Sequence, residues 1–228
     1  MRRVLGRFRP LDPGQLAVLA GCAAAGALGA LPGANGALDH VAMLGWMTLF
    51  APAAGALCGA RGIAILPLAG FVPVSWTVLL AALPAGAARG FATLPWAACA
   101  LVGLFALGLA LGARSRSALL TPGVLLFLGL VLASAAQGFG LLAGGAELAR
   151  AHPRLAARLL DASPPVLVFE CAGWDWVHAQ PEVYARGGAE WIQRRPYAGN
   201  LAGPAVLVVG CALAILARRP DHLARDAG

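Results

Sequence analysis

The residues with the greatest chemical capacity crowd into one stretch, "FECAGWDWVHAQPEVY", residues 169–184, which holds two Trp, one Tyr, one Phe, one His, one Cys and three acids. Glu170, Asp175 and His178 offer oxygen and nitrogen ligands, and Asp175 and His178 stand i, i+3 on a helix. A zinc site takes three or four converging ligands, usually with more than one His. The Glu170-to-Asp175 spacing puts those two on different helical faces, so no metal site is expected. The same three side chains are the candidates for proton handling. Carboxylates in a loop, however, commonly face solvent or pair with bases, and Arg186, Arg194 and Arg195 are available. The aromatic residues Trp174, Trp176, Tyr184, Trp191 and Tyr197 read either as an interfacial belt at headgroup level or as a surface for a lipid or a partner. The expectation is no catalytic residue and no cofactor. Glu170, Trp174, Asp175, Trp176 and His178 then form a substrate or partner surface.

The rest of the chain restricts the chemistry further. All 17 basic residues are Arg and none is Lys. A P-loop of the G-x-x-x-x-G-K-[ST] type is therefore absent, and so is lysine Schiff-base catalysis. The five Cys residues show no C-x-x-C spacing, and four of them (Cys22, Cys58, Cys99 and Cys211) lie in apolar blocks, where Cys behaves as a small hydrophobe. The net charge of +7 does not point to nucleic acid, because the Arg residues sit between hydrophobic blocks as membrane-flanking charges.

The elements that must position the 169–184 stretch are membrane helices. Of 228 residues 60% are hydrophobic and 12% charged, with a mean hydropathy of +0.76. Soluble domains carry roughly 25% charged residues, so this chain lacks half the usual polar coat. A bilayer core needs about 20 mostly apolar residues in a helix, and six uncharged segments meet that need: 15–31, 41–60, 62–86, 91–113, 119–146 and 201–217. The first is read as a retained span rather than a signal peptide. The predicted fold is all-α: one polytopic transmembrane domain over residues 1–228, with short helices in a long outer loop, 147–200, between spans five and six.

Proline predicts the irregularities. Pro122 and Pro204 fall in first turns, where a missing N–H is harmless. Pro52 should kink or break the second span, and Pro67, Pro73 and Pro84 the third. "CGARGIA" around Arg61 makes a tight hairpin between them. In the outer loop, "ELARAHPRLAARLLDASPP" puts Arg150, Arg154 and Arg158 on one helical stripe, with Leu148, Leu155 and Leu159 on an adjoining face. It reads as an amphipathic helix at the interface or against the bundle, or as a loop helix with a solvated charged face. A second helix is expected from Val166 to Val177.

Ten Arg residues lie on the side of the termini if both ends are cytoplasmic: Arg2, Arg3, Arg7, Arg9, Arg61, Arg114, Arg116, Arg218, Arg219 and Arg225. The long loop carries six Arg and six acids and has no net charge. Both termini are therefore expected inside a cell inner (plasma) membrane. The spans hold only Thr48, Ser75, Thr77, Ser134 and Gln137 as their main polar groups, with Asp39 and His40 at the mouth of the second. Ion-coupled transporters use intramembrane acids, bases or His; this chain has none within its spans. Any drive must come from a partner.

"LFALGLALGARSRSALLTPGVLLFLGLVLAS", residues 104–134, resembles the fourth-to-fifth span passage of the permease subunits of type-2 ABC exporters (the ABC-2 family): a small-residue helix, a basic turn, then an apolar helix. "LLDASPPVLVFECAG", residues 159–173, is similar to the loop those permeases carry before their last span. The resemblance implies a non-enzymatic permease subunit, a homo- or hetero-dimer, driven by a separate ATP-binding subunit and moving a hydrophobic or amphipathic molecule. Arg61, Arg114 and Arg116 would face the ATPase, and loop 147–200 would cap the outer end. The other reading is a non-transporting membrane scaffold or assembly subunit of a larger complex.

Overall fold

The computed structural model describes residues 12–28, 40–63, 72–76, 93–141 apart from 116 and 118, 151–174 and 197–217. All regular secondary structure among these residues is helical. In chain order there are α1 (Pro13–Leu28), α2 (His40–Ala60), α3 (Leu94–Arg114), α4 (Leu120–Leu141), α5 (Pro153–Asp161), α6 (Pro164–Cys171) and α7 (Gly199–Ala217), with a short helical stretch at 72–76. α1, α2, α3, α4 and α7 follow the first, second, fourth, fifth and sixth predicted segments closely. The third segment, with Pro67 and Pro84, lies mostly outside the described residues. Pro52 does not break α2, which continues through it.

α3 is the central helix, and glycine is why. Gly55 and Gly59 of α2 press on the Phe105 and Leu109 carbonyls of α3, while Gly108 and Gly112 of α3 press on the Pro52 and Ala56 carbonyls of α2. Each glycine points its missing Cβ at a carbonyl oxygen of the other helix, where any side chain would collide. Both runs are G-x-x-x-G, the small-residue spacing that lets two helix backbones approach closely. On the opposite face of α3, Gly103 meets Val206, while Gly203 and Gly210 of α7 meet Trp96 and Gly103. Approaches of this kind place Cα–H groups against carbonyls, worth roughly 0.5–1 kcal/mol each.

These contacts also fix the helix directions. Residue numbers rise together across α2 and α3, and across α3 and α7, so the three helices are parallel. α1 runs the other way: Gln15 Nε2 donates to the Arg61 carbonyl (3.2 Å) and Trp46 Nε1 to the Ala25 carbonyl (2.9 Å). The buried Trp76 indole, at the end of the 72–76 stretch, donates its N–H to the Ala23 carbonyl (3.2 Å). Thr48 satisfies its hydroxyl within α2 by donating to the Leu44 carbonyl (2.7 Å). Trp76 is only 1% exposed and belongs to the core.

Among the described residues two helices are long and apolar enough to cross a membrane, α3 and α7, each with a mean hydropathy of 2.1 over its most apolar stretch. They differ in cover. That stretch is 56% buried in α3 but 17% in α7. A helix hydrophobic all round is buried by protein or by lipid; here protein buries more of the first than of the second.

Candidate functional site

The start of the 169–184 stretch closes the end of the bundle where α2, α3 and α7 begin. α6 is short because two prolines open it and glycine closes it. Pro164 and Pro165 occupy its first positions, where their missing N–H groups cost nothing. Those same prolines remove the nearest donors from Ser163, whose buried Oγ has no hydrogen-bond partner. At the other end Gly173 adopts φ 79°, a left-handed conformation that side chains resist. The Gly173 N–H then bonds the Glu170 carbonyl (3.0 Å) and the Trp174 N–H the Phe169 carbonyl (2.9 Å). This is the Schellman arrangement, completed by a contact between the two residues that flank it. The Trp174 and Phe169 rings, 5.4 Å apart between centroids, supply that contact.

α6 therefore stops at Cys171, and the helix expected to run from Val166 to Val177 is six residues shorter at its C-terminal end. The signal was present in the sequence as Gly173 with aromatics at 169 and 174. α2 ends by the same device: Gly62 at φ 67°, its N–H on the Gly59 carbonyl (3.0 Å) and the Ile63 N–H on the Cys58 carbonyl (2.9 Å). The Arg61 turn is that cap.

Nearly every side chain of α6 points into protein: Val166, Val168, Phe169, Glu170 and Cys171 are all buried. Phe169 lies 3.8 Å from where a Cβ on Gly45 would sit, and Gly173 lies against Thr93, so α6 plugs the mouth between α2 and α3. Glu170 is 5% exposed and does not face solvent. Its Oε2 accepts the Tyr197 backbone N–H at 2.8 Å, two residues before α7. The Tyr197 hydroxyl donates to the Asp161 carbonyl at the end of α5 (2.8 Å). Gly199 completes the clamp, because a Cβ there would come within 2.9 Å of the Cys171 Cα. Glu170 thus holds the start of α7 rather than presenting a free acid. Burial, and the charge of Glu170 beside it, push the Cys171 thiol up to about 11.

Trp174 is half-buried and committed to the α6 cap. Asp175, Trp176 and His178 lie outside the described residues, as does Arg116. Among the described residues no three His, Cys, Asp or Glu side chains gather where a metal ion could sit. α5 corrects the amphipathic reading by one residue. It begins at Pro153, after His152, and buries Ala156 and Leu160 while Leu155 is 51% exposed. Leu159 packs partly against the core, and Arg154 and Arg158 face outward. Arg150 lies outside the described residues.

The opposite end carries exposed cations. Arg61 follows α2, and Arg114 ends α3 with its Nη2 donating to the Leu216 carbonyl of α7 (3.5 Å). Near this end, sequence reasoning missed a cleft of about 390 Å³ between α1, α2 and α4, walled by residues such as Val18, Cys22, Phe50, Leu57, Pro122 and Leu126. The stripe Val18, Cys22, Ala25 on α1 was its visible trace. No family model, curated protein or solved structure matches the chain.

Proposed function

We propose that the chain is a multi-pass subunit of the inner (plasma) membrane that works as the permease of an ABC-type exporter. It crosses six times, with both termini on the cytoplasmic side. It hydrolyses nothing itself, depends on a separate ATPase, and moves a hydrophobic or amphipathic molecule. The observation that carries the membrane part is α7: a helix with a mean hydropathy of 2.1, only 17% of whose apolar stretch is buried, belongs in lipid or against another membrane helix. Helix direction supports six crossings. α2 and α3 are parallel although consecutive among the described long helices, so Ile63 and Thr93 lie at opposite ends of the bundle.

The exporter part draws on the resemblance of residues 104–134 and 159–173, and on the cationic end formed by Arg61 and Arg114. In this reading Arg114 and Arg116 meet the ATPase, with Arg61 near them, and the α5–α6 region caps the outer end. Affinity purification at native expression should recover an ATP-binding subunit, and deleting the chain should abolish export. Recovery of no ATPase refutes the proposal.

One observation favours the scaffold reading instead. The backbones of α2, α3 and α7 interlock through seven glycines (Gly55, Gly59, Gly103, Gly108, Gly112, Gly203 and Gly210), which leaves no room for a path between them. A scaffold would lose its partners, but no transport activity, when the 174–178 segment is altered.

A further inference from the structure

We infer that the cleft between α1, α2 and α4 holds one acyl chain of a resident anionic phospholipid, with its headgroup at the Arg61 end. The inference rests on the membrane reading but not on transport or on an ATPase. The cleft is walled by Val18 to Ala25 on α1, Phe50 to Leu57 on α2 and Leu119 to Leu126 on α4. Each wall is seven residue steps long, about 10 Å along a helix axis, so the space is elongated parallel to the helices. Its volume of about 390 Å³ is that of a small-ligand site. Its lining contains only apolar groups, glycine and the Cys22 thiol. A rigid polar ligand finds no partner there, whereas a hydrocarbon chain needs none.

One end of the cleft is polar, and there the headgroup class is set. The Arg61 N–H still bonds the Leu57 carbonyl (3.2 Å), so Arg61 keeps the helical register one turn beyond a cleft wall residue. Gln15, one turn before Val18 on α1, donates to the Arg61 carbonyl. On the α4 side the Thr121 hydroxyl bonds Ser115 Oγ beside Pro122. Two charges among the described residues flank this rim closely. Arg61 is exposed, and Asp12 is engaged by the Gln15 N–H through its Oδ1 (2.7 Å) as it starts α1. Arg114 stands at the same end of the bundle. Among the described residues at this end, Arg61 and Arg114 outnumber Asp12, which selects a headgroup with net negative charge over a zwitterionic one. Arg61 then belongs to the lipid, leaving Arg114 and Arg116 for any ATPase.

Glycine gives a clean way to fill the cleft. Gly21 and Gly123 both line it, and a Cβ on either meets nothing within 4 Å. Full-length protein, stripped of lipid in detergent, is titrated separately with phosphatidylglycerol, phosphatidylcholine and a free fatty acid. Native mass spectrometry reads the bound species, and the rise in Tm reads occupancy. One phosphatidylglycerol should be retained, at least about fivefold more tightly than phosphatidylcholine, the ratio expected for one cation at a membrane surface. Arg61→Gln should remove that preference and keep the binding of both. Gly21→Leu with Gly123→Leu should remove the bound lipid while leaving the lipid-free Tm unchanged or higher. Should the double variant fail to fold, Gly123→Leu alone carries the same expectation. Equal retention of the two phospholipids, an undiminished lipid in a folded cleft-filled variant, or a fatty acid held in place of phospholipid would each overturn the inference.

Discussion

Gly108→Ala and Gly123→Ala are the same chemical change in two apolar helices, and the structure assigns them opposite signs. At Gly123 a Cβ meets nothing within 4 Å, so the substitution gains helix propensity of about 1 kcal/mol. At Gly108 the new methyl collides with the Pro52 carbonyl, which is backbone and cannot rotate away. α2 and α3 have to separate, and four approaches loosen together: Gly55 on Phe105, Gly59 on Leu109, Gly108 on Pro52 and Gly112 on Ala56. At roughly 0.5–1 kcal/mol each they sum to about 2–4 kcal/mol. The propensity gain of about 1 kcal/mol leaves a net loss of about 1–3 kcal/mol. For a chain of this length 1 kcal/mol moves Tm by about 2–4 °C, so Gly108→Ala should lower it by about 2–12 °C and Gly123→Ala should raise it by a few degrees. Thermal unfolding in one detergent, followed by circular dichroism and Trp fluorescence, compares the two directly. Shifts of equal sign and size would refute glycine-dependent packing between α2 and α3.

Glu170→Ala removes the acceptor of the half-buried Tyr197 N–H and should cost about 1–3 kcal/mol. Hydrogen exchange at the Tyr197 amide should speed up correspondingly, while Glu170→Gln, which keeps an oxygen acceptor, restores much of the protection. Trp46→Phe and Trp76→Phe each delete one indole bond to α1, with an expected loss of about 0.5–1.5 kcal/mol each. Proteolysis at the α1 end of the chain reads that loosening. Burial pushes the Cys171 thiol up to about 11, above the ordinary thiol range. Its alkylation in the native state should therefore lag far behind that of a free thiol at pH 8. The sign for stability follows: the contribution is intact below pH 9 and falls as pH rises from 9 toward 11, because the unfolded thiol ionises first. Single cysteines at Asp12 and Ser117 should label from one face of the membrane and a cysteine at Ala162 from the other; labelling of all three from one face would refute the helix directions.

Helix positions were legible because they rest on apolar length alone. The segments 41–60 and 91–113 differ from α2 and α3 by at most three residues at either end. Packing was legible only as composition: abundant Gly and Ala predict close helices, but a glycine's partner depends on which backbone lies opposite. The choice of Pro52 for Gly108 is a tertiary fact. Glu170 shows the same limit. A carboxylate in a polar loop reads as solvent-facing, and nothing local reveals that Tyr197, 27 residues later, supplies its donor. The end of α6 was different, since Phe169, Gly173 and Trp174 stand at Schellman spacing. Helical periodicity was followed past a glycine that stops it.

The parallel order of α2, α3 and α7 ties the two ends of the molecule to one electrostatic cause. Each helix carries a partial positive charge at its N-terminus and a partial negative charge at its C-terminus. Antiparallel neighbours cancel these charges, as α1 does in part, but three parallel helices leave a net sum. Their N-termini gather at the end plugged by α6, and there Glu170, nearly buried, accepts the N–H that precedes α7. Their C-termini gather at the other end, with Arg114 in the last turn of α3, Arg61 directly after α2, and Arg218 and Arg219 directly after α7 in sequence. The Arg114 guanidinium bonds one of the α7 end carbonyls, that of Leu216. Arg61 and Arg114, which the proposed orientation puts on the cytoplasmic side, therefore also oppose the summed dipole. Reversing one of them separates the two roles. Arg114→Glu leaves most of the topogenic Arg residues in place, so orientation should hold. It also puts a negative charge beside carbonyls that need a positive one, at about 0.3–1 kcal/mol for the lost favourable term and a similar amount for the new repulsion. A Tm lowered by a few degrees with unchanged cysteine labelling is the expected result. An unchanged Tm would mean that the parallel dipoles are already screened and that Arg114 has no part in holding α3 to α7.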